Sequence, residues 1–287
     1  MLYLLLTIIT SVLIIISFKI FHNLGINTFQ VITFNYFFGF IFGILFSESK
    51  FEISTFTNSQ WFWPAILIGF VFIAGFVLFS KSTEKAGVSI TAVSSKMSVI
   101  IPVMTGFFLF GDSITSIKII GIVLAIASFY FVFKTEKGGK VDIKYILLPL
   151  LLFLTSGLND SLVKYVEHHF LNGEPLLFLT VVFFSAFLIG AVYLLVSKDN
   201  KNRKILFPAV AGGFVLGSIN FWNAWAFVKS MEVFESSVLF PIVNVSVVSI
   251  AALSGTFFFK EKLKPINWAG IIMAVVAILL ISMTNEN

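Results

Sequence analysis

Two ionisable residues stand deep inside apolar runs. Lys96 lies in TAVSSKMSVIIP (91–102) and Asp160 in TSGLNDSLVKY (155–165). An ammonium at the centre of a bilayer costs about 2.5–3.5 kcal/mol on an insertion scale, and snorkelling moves it only a short way toward the interface. Lys96 is therefore expected to face the protein interior or water. Counted along its run it sits ~14 Å deep, and Asp160 sits ~10 Å from the opposite end of its own, so the two depths differ by about one helical turn. An ammonium and a carboxylate so placed can form a conditional ion pair, opened when a solute carboxylate competes for Lys96 or when Asp160 takes up a proton. The alternative is a purely structural pair that pins two helices together.

Further polar groups stand in comparable runs. GSINFWNAWAF (217–227) stacks Asn220 and Asn223 on one helical face and turns Trp222 and Trp225 toward another. Asn220 and Asn244 could hydrogen-bond an amino or carboxyl group, with Trp222 as an apolar wall; Trp is equally an interfacial anchor. Ser237, Pro241, Asn244, Val248 and Gly255 share a face that reads either as a lining or as a small-residue packing seam. Pro102 and Pro241 are expected to kink their helices, freeing a carbonyl for a ligand or for a neighbouring serine. Asn35 and Tyr36 are weaker candidates. With no cysteine and three histidines without ligand spacing, no metal, cofactor or thiol chemistry is expected. Walker and HExxH motifs are missing as well, so no catalytic residue is proposed and an ATP-driven pump is disfavoured.

The elements that must position these groups are membrane helices. The chain is 58% hydrophobic and 11% charged, against roughly 25% charged in soluble proteins. Ten apolar segments follow one another at about 2–21, 28–46, 62–82, 87–110, 115–133, 144–166, 175–197, 205–229, 236–258 and 265–283. Each is long enough to cross about 30 Å of hydrocarbon. The first lacks a basic leader and a small-residue cleavage site, so it reads as a retained helix. SESKFEISTFTNSQWFWP (47–64) suits a segment lying along the interface.

Internal repeats suggest the architecture. FSKSTEKAGVS (79–89) matches FVKSMEVFESS (227–237), aligning Phe79, Lys81, Ser82, Glu84 and Ser89 with Phe227, Lys229, Ser230, Glu232 and Ser237. TSVLIIISFK (10–19) aligns with TSGLNDSLVK (155–164), and PAILIGFV (64–71) with PAVAGGFV (208–215); Asp112 and Gly121 align with Glu261 and Gly270. The expected fold is all-α and polytopic, with residues 1–138 and 139–287 as two five-helix repeats. Because five is odd, the second repeat enters from the opposite side, the inverted arrangement of secondary transporters with a midplane site. Most of the 19 basic residues fall in the first, third, fifth, seventh and ninth loops. The positive-inside rule then makes those loops cytoplasmic and puts both termini outside.

Ten helices in two halves, with the fourth and ninth leading into acidic turns (FFLFGDSITSIKIIG, 107–121; FFFKEKLKPINWAG, 257–270), resemble the drug/metabolite transporter superfamily, in particular its EamA-type members. The resemblance spans essentially the whole chain. It implies a solute carrier in a plasma or bacterial inner membrane whose central cavity is lined mainly by helices 1, 3, 4, 6, 8 and 9. It also implies cytoplasmic termini, opposite to the charge count. The function expected is secondary transport of a small metabolite, such as an amino acid or another carboxylate-bearing solute, by alternating access; a membrane-embedded scaffold or enzyme is the alternative. The expected partners are the solute and the lipid bilayer, with proton coupling open and no nucleic acid. Small residues on helices 5 and 10, including Gly121, Ala125, Gly270 and Ala274, could serve a homodimer or pack within one chain.

Overall fold

The computed structural model describes residues 1–46, 59–105, 108, 115–133, 143–171, 175–197, 207–231, 233 and 236–282. The expected interfacial segment after the second helix, Asp112, Glu232 and the side chains of Ser237 and Pro241 lie outside what it describes. Regular structure among the described residues is helical: α1 Leu2–Asn23, α2 Thr28–Phe46, α3 Phe62–Lys85, α4 Val88–Met97, α5 Ile100–Thr105, α6 Ser116–Phe133, α7 Ile143–Phe170, α8 Pro175–Val196, α9 Phe207–Met231, α10 Ser236–Phe257 and α11 Pro265–Ser282. Six stretches are clearly long and apolar enough to cross a membrane, α4 and α5 together counting as one. Large apolar side chains are exposed along the outside, Ile119, Val123 and Ile126 on α6 and Leu147, Leu154 and Leu158 on α7 among them. That is the exterior of a polytopic membrane protein, whose outer solvent is lipid.

The fourth apolar segment is two helices because of Pro102. A proline at this position cannot donate to the Ser98 carbonyl, and its ring crowds that carbonyl. The chain turns at Ser98–Val99, and the Ser98 carbonyl accepts instead from Ile101 N at 2.9 Å. Lys96 thus lies in the last turn of α4, where the negative end of the helix dipole favours a cation. Pro241 causes no such break: α10 runs unbroken from Ser236 to Phe257.

Close packing replaces the hydrophobic effect between helices in lipid, and glycines mark where it occurs. A Cβ on Gly121 would stand 2.8 Å from Ile281 Cγ1, and one on Gly270 2.6 Å from Val132 N. The sequence offset that aligns Gly121 with Gly270 also aligns Val132 with Ile281, so the α6–α11 seam maps onto itself when the halves are exchanged. Ala125 and Ala274 are fully buried in the same seam. The small residues that suggested self-association are thus occupied within one chain. Likewise Gly69 of α3 packs against Ser185 and Val182 of α8, and Gly213 of α9 against Phe34 of α2.

One end of the bundle is tied by a carboxylate. Glu261, in the turn between α10 and α11, accepts from Val88 N at 2.5 Å, Ser89 N at 3.2 Å and Ser89 Oγ at 2.7 Å. These are orphan donors of the first turn of α4. Gly87 precedes them with φ +95°, and a Cβ there would meet Glu261 Oε1 at 2.6 Å. His22 Nδ1 lies 3.7 Å from Glu84, so the ends of α1 and α3 share this side of the bundle with the α10–α11 turn.

Candidate functional site

Between the helices lies a cavity of about 280 Å³, at the small end of ligand sites, which run about 300–1,000 Å³. Its walls divide by chemistry. α1 and α3 present Ile14, Ile15, Val71, Phe72, Phe76 and Phe79, an apolar wall interrupted by Ser11 and Gly75. α7 presents Thr155, Ser156, Asn159 and Asp160 beside Leu152; α4 contributes Ser95 and Lys96, and α9 contributes Asn220 and Asn223.

The α7 face follows from its sequence. Asn159 and Asp160 stand three and four residues beyond Ser156, steps that bring all three side chains to one side of a helix. Asp160 is exposed and Lys96 half-buried, and both line the cavity. They are near enough to interact electrostatically, yet no contact within 4.0 Å joins them. The expected pair is therefore open in this structure. The Asn159 side chain hydrogen-bonds Asp160, while its own Oδ1 is buried without a partner.

Asn223 is the best-anchored side chain of the wall. Its Nδ2 lies 3.0 Å from the Thr7 carbonyl, 2.8 Å from Thr10 Oγ1 and 2.8 Å from Ser11 Oγ, joining α9 to α1. A backbone carbonyl can only accept, so it fixes which end of the carboxamide points at α1. Asn220 donates to Asn35 Oδ1 at 3.3 Å; Asn35 is wholly buried behind the wall. Tyr36 is buried beside it and donates to the Phe72 carbonyl at 2.9 Å.

Three of the five residues singled out as binding candidates, Lys96, Asp160 and Asn220, line this one cavity. The other two stand elsewhere. Trp222 packs edge-on against Phe46, Phe221 and Trp225, because its position on α9 turns it from the face that carries Asn220 and Asn223. Asn244 is buried on α10, whose Val248 packs with Val93 and Met97 of α4, so this face forms a packing seam. α10 supplies no lining residue among those described, while α1, α3, α4, α7 and α9 all do. Sequence reasoning missed Gly75, Thr155, Ser156, Asn159 and the anchoring role of Asn223. The aligned Thr10-Ser11 and Thr155-Ser156 pairs were the available signal.

A 28% identical relative, an uncharacterised protein of Haemophilus influenzae, aligns over 282 residues and 94% of each chain. A crystal structure of a protein 11% identical superposes with a TM-score of 0.62 over 97% of this chain and 94% of that one, a likeness of fold alone. The sequence model of the EamA-like transporter family matches twice, over residues 1–134 and 143–283. Those two matches take in both halves and every helix described above, and the chain accordingly belongs to the EamA-like transporter family.

Proposed function

We propose that this protein is a secondary carrier that moves a small carboxylate-bearing solute across the membrane by alternating access to the central cavity. The observation that carries the reading is the open Lys96–Asp160 arrangement. Lys96 is an ammonium in the middle of a broken span, facing a cavity and holding no direct counter-ion among the described residues. A carboxylate entering the cavity completes its coordination, and Asp160 offers the complementary acceptor to an ammonium or a proton. The Phe72–Phe76–Phe79 wall gives an apolar portion of the solute its surface.

Alternating access needs two halves that rock about a shared site. Ten spans in two inverted five-helix repeats, 1–138 and 139–287, fit that need. The twofold family match and the self-mapping α6–α11 seam support this division. The charge count supports placing the Glu261 end of the bundle in the cytoplasm and both termini outside.

The test is uptake into proteoliposomes from a pool of amino acids and other small metabolites, with and without a pH gradient, comparing the wild type with Lys96→Ala. Carboxylate uptake that disappears in a folded Lys96→Ala protein supports the reading. Equal uptake by both proteins removes Lys96 from the site, and no uptake of any carboxylate overturns the reading. A gradient-dependent rate would assign coupling to protons.

A further inference from the structure

We propose that the cavity contains a seat for an N–H donor group, a primary ammonium, formed by the Thr155 and Ser156 hydroxyls and the Leu152 carbonyl of α7. The inference deepens the transport reading and rests on it for the solute's carboxylate.

The template for the seat is in the structure. On α1, Thr10 turns its own hydroxyl proton back to the Leu6 carbonyl at 2.6 Å. That leaves the Thr10 oxygen to accept, together with Ser11 Oγ and the Thr7 carbonyl, from the Asn223 NH₂ group. The repeat alignment that pairs Thr10-Ser11 with Thr155-Ser156 pairs Leu6 with Leu151 and Thr7 with Leu152. α7 repeats the preparation: Thr155 Oγ1 donates to the Leu151 carbonyl at 2.7 Å. On α1 the waiting acceptors are filled by Asn223. On α7 the residue that would fill them is a glycine, since Gly75 precedes Phe79 by one helical turn as Asn223 precedes the matched Phe227.

Gly75 is not there for helix packing. A Cβ on it would meet nothing nearer than Thr155 Cγ2, at 3.5 Å, whereas every other described glycine within a helix would bring a Cβ to 3.2 Å or less from a neighbour. What the missing side chain provides is cavity, and Gly75, Leu152, Thr155 and Ser156 all line it. The first half of the chain thus leaves open a donor site that the second half closes with its own amide. Asp160 stands one turn beyond Ser156 on the same cavity wall. Its negative charge selects a cationic donor over a neutral amide, while Lys96 takes the carboxylate. The solute class is therefore a zwitterion.

Gly75→Asn tests this by rebuilding on α7 the arrangement seen on α1. Purified wild type and variant are titrated, by ligand-induced thermal stabilisation, with α-amino acids. Each is matched with the acid lacking its amino group and the amine lacking its carboxylate. In the wild type, at least one amino acid is expected to bind about tenfold or more tighter than its deaminated match. Gly75→Asn should remain folded and lose that preference, the grafted carboxamide occupying the seat. Ser156→Ala, a smaller change, should weaken the amino acid about tenfold and leave the deaminated acid unaffected. The proposal is overturned if no amine-bearing compound stabilises the wild type, or if deaminated acids bind as tightly. It is equally overturned if Ser156→Ala binds amino acids like the wild type. Amino-acid binding with no vesicle uptake would sink the transport reading and leave the seat standing; uptake restricted to deaminated acids would do the reverse.

Discussion

Removing the Glu261 carboxylate should loosen the structure at one identifiable point, the first turn of α4. The carboxylate accepts three hydrogen bonds there, two from backbone N–H groups and one from Ser89 Oγ. Bonds to a charged group contribute about 1.5–3 kcal/mol each when desolvated. Glu261 is half-buried, so the three together are put at about 3 kcal/mol for Glu261→Ala. Glu261→Gln keeps an oxygen for Val88 N but sets an NH₂ against Ser89, at about 2 kcal/mol. Ser89→Ala removes one bond, at about 1 kcal/mol. In a chain of this order each kcal/mol moves Tm by about 2–4 °C, which makes Glu261→Ala a fall of about 6–12 °C. The assay is thermal unfolding in detergent for the three single variants and for the Ser89→Ala/Glu261→Ala double. Because Ser89→Ala and Glu261→Ala delete the same bond, the double variant should fall short of the sum by about 1 kcal/mol. Gly255→Ala supplies an independent check, since its Cβ would run into Glu261 Oε2 and Ser89 Oγ; it should lower Tm comparably. Strict additivity in the cycle, with a Gly255→Ala protein as stable as the wild type, would refute the cap.

Three further outcomes follow from the packing. Pro102→Ala restores a donor to the Ser98 carbonyl, and should raise stability by about 1–3 kcal/mol; it should also lower uptake, because the break beside Lys96 is closed, and a lower Tm would contradict this account. Gly270→Ala and Gly75→Ala should diverge: the first forces a Cβ against Val132 N and costs about 1–3 kcal/mol, whereas the second should hold or gain Tm, as Ala favours helix by about 1 kcal/mol. Asp160→Asn should keep the wild-type Tm within a few degrees, since no direct ion pair with Lys96 is lost, while cutting solute uptake at least about tenfold; a collapse in stability would instead make the pair structural.

Helix boundaries were legible because they are punctuated. Apolar blocks are bounded by the turns around Gly25 and Gly87, by lysines, and by Pro175 and Pro265, and the expected segments lie within a few residues of the helices observed, except the fourth, which is broken in two before Pro102 and runs past the described residues. Helix faces were not legible in the same way. A helix apolar all round carries no stripe to say which side turns inward, so only ionisable residues, amides and glycines report orientation. Lys96 and Asp160 report it through the cost of burying charge, and both line the cavity. Trp222 carries no such cost: an indole is as well placed against Phe46 and Phe221 as against a solute, and its residue type could not decide between them. Asn244 fails for a related reason, since a small amide fits a seam as readily as a lining.

The residues hardest to read singly become readable in pairs. Alone, Gly75 is a helix-weakening residue and Asn223 an amide of unknown partner. Aligned through the repeat, they are one position with two solutions, one filled by the protein and one left to the cavity. The same comparison sets Lys96 opposite Asn244 and Asp160 opposite Ile15, so each charge of the site stands where the other half has a neutral residue. The two family-matched halves pack alike at Gly121 and Gly270 but diverge at these three pairs. All three divergent pairs place a cavity-lining residue of one half opposite a residue of different chemistry in the other, and on the proposed transport reading this asymmetry is what would fix the orientation of a single solute.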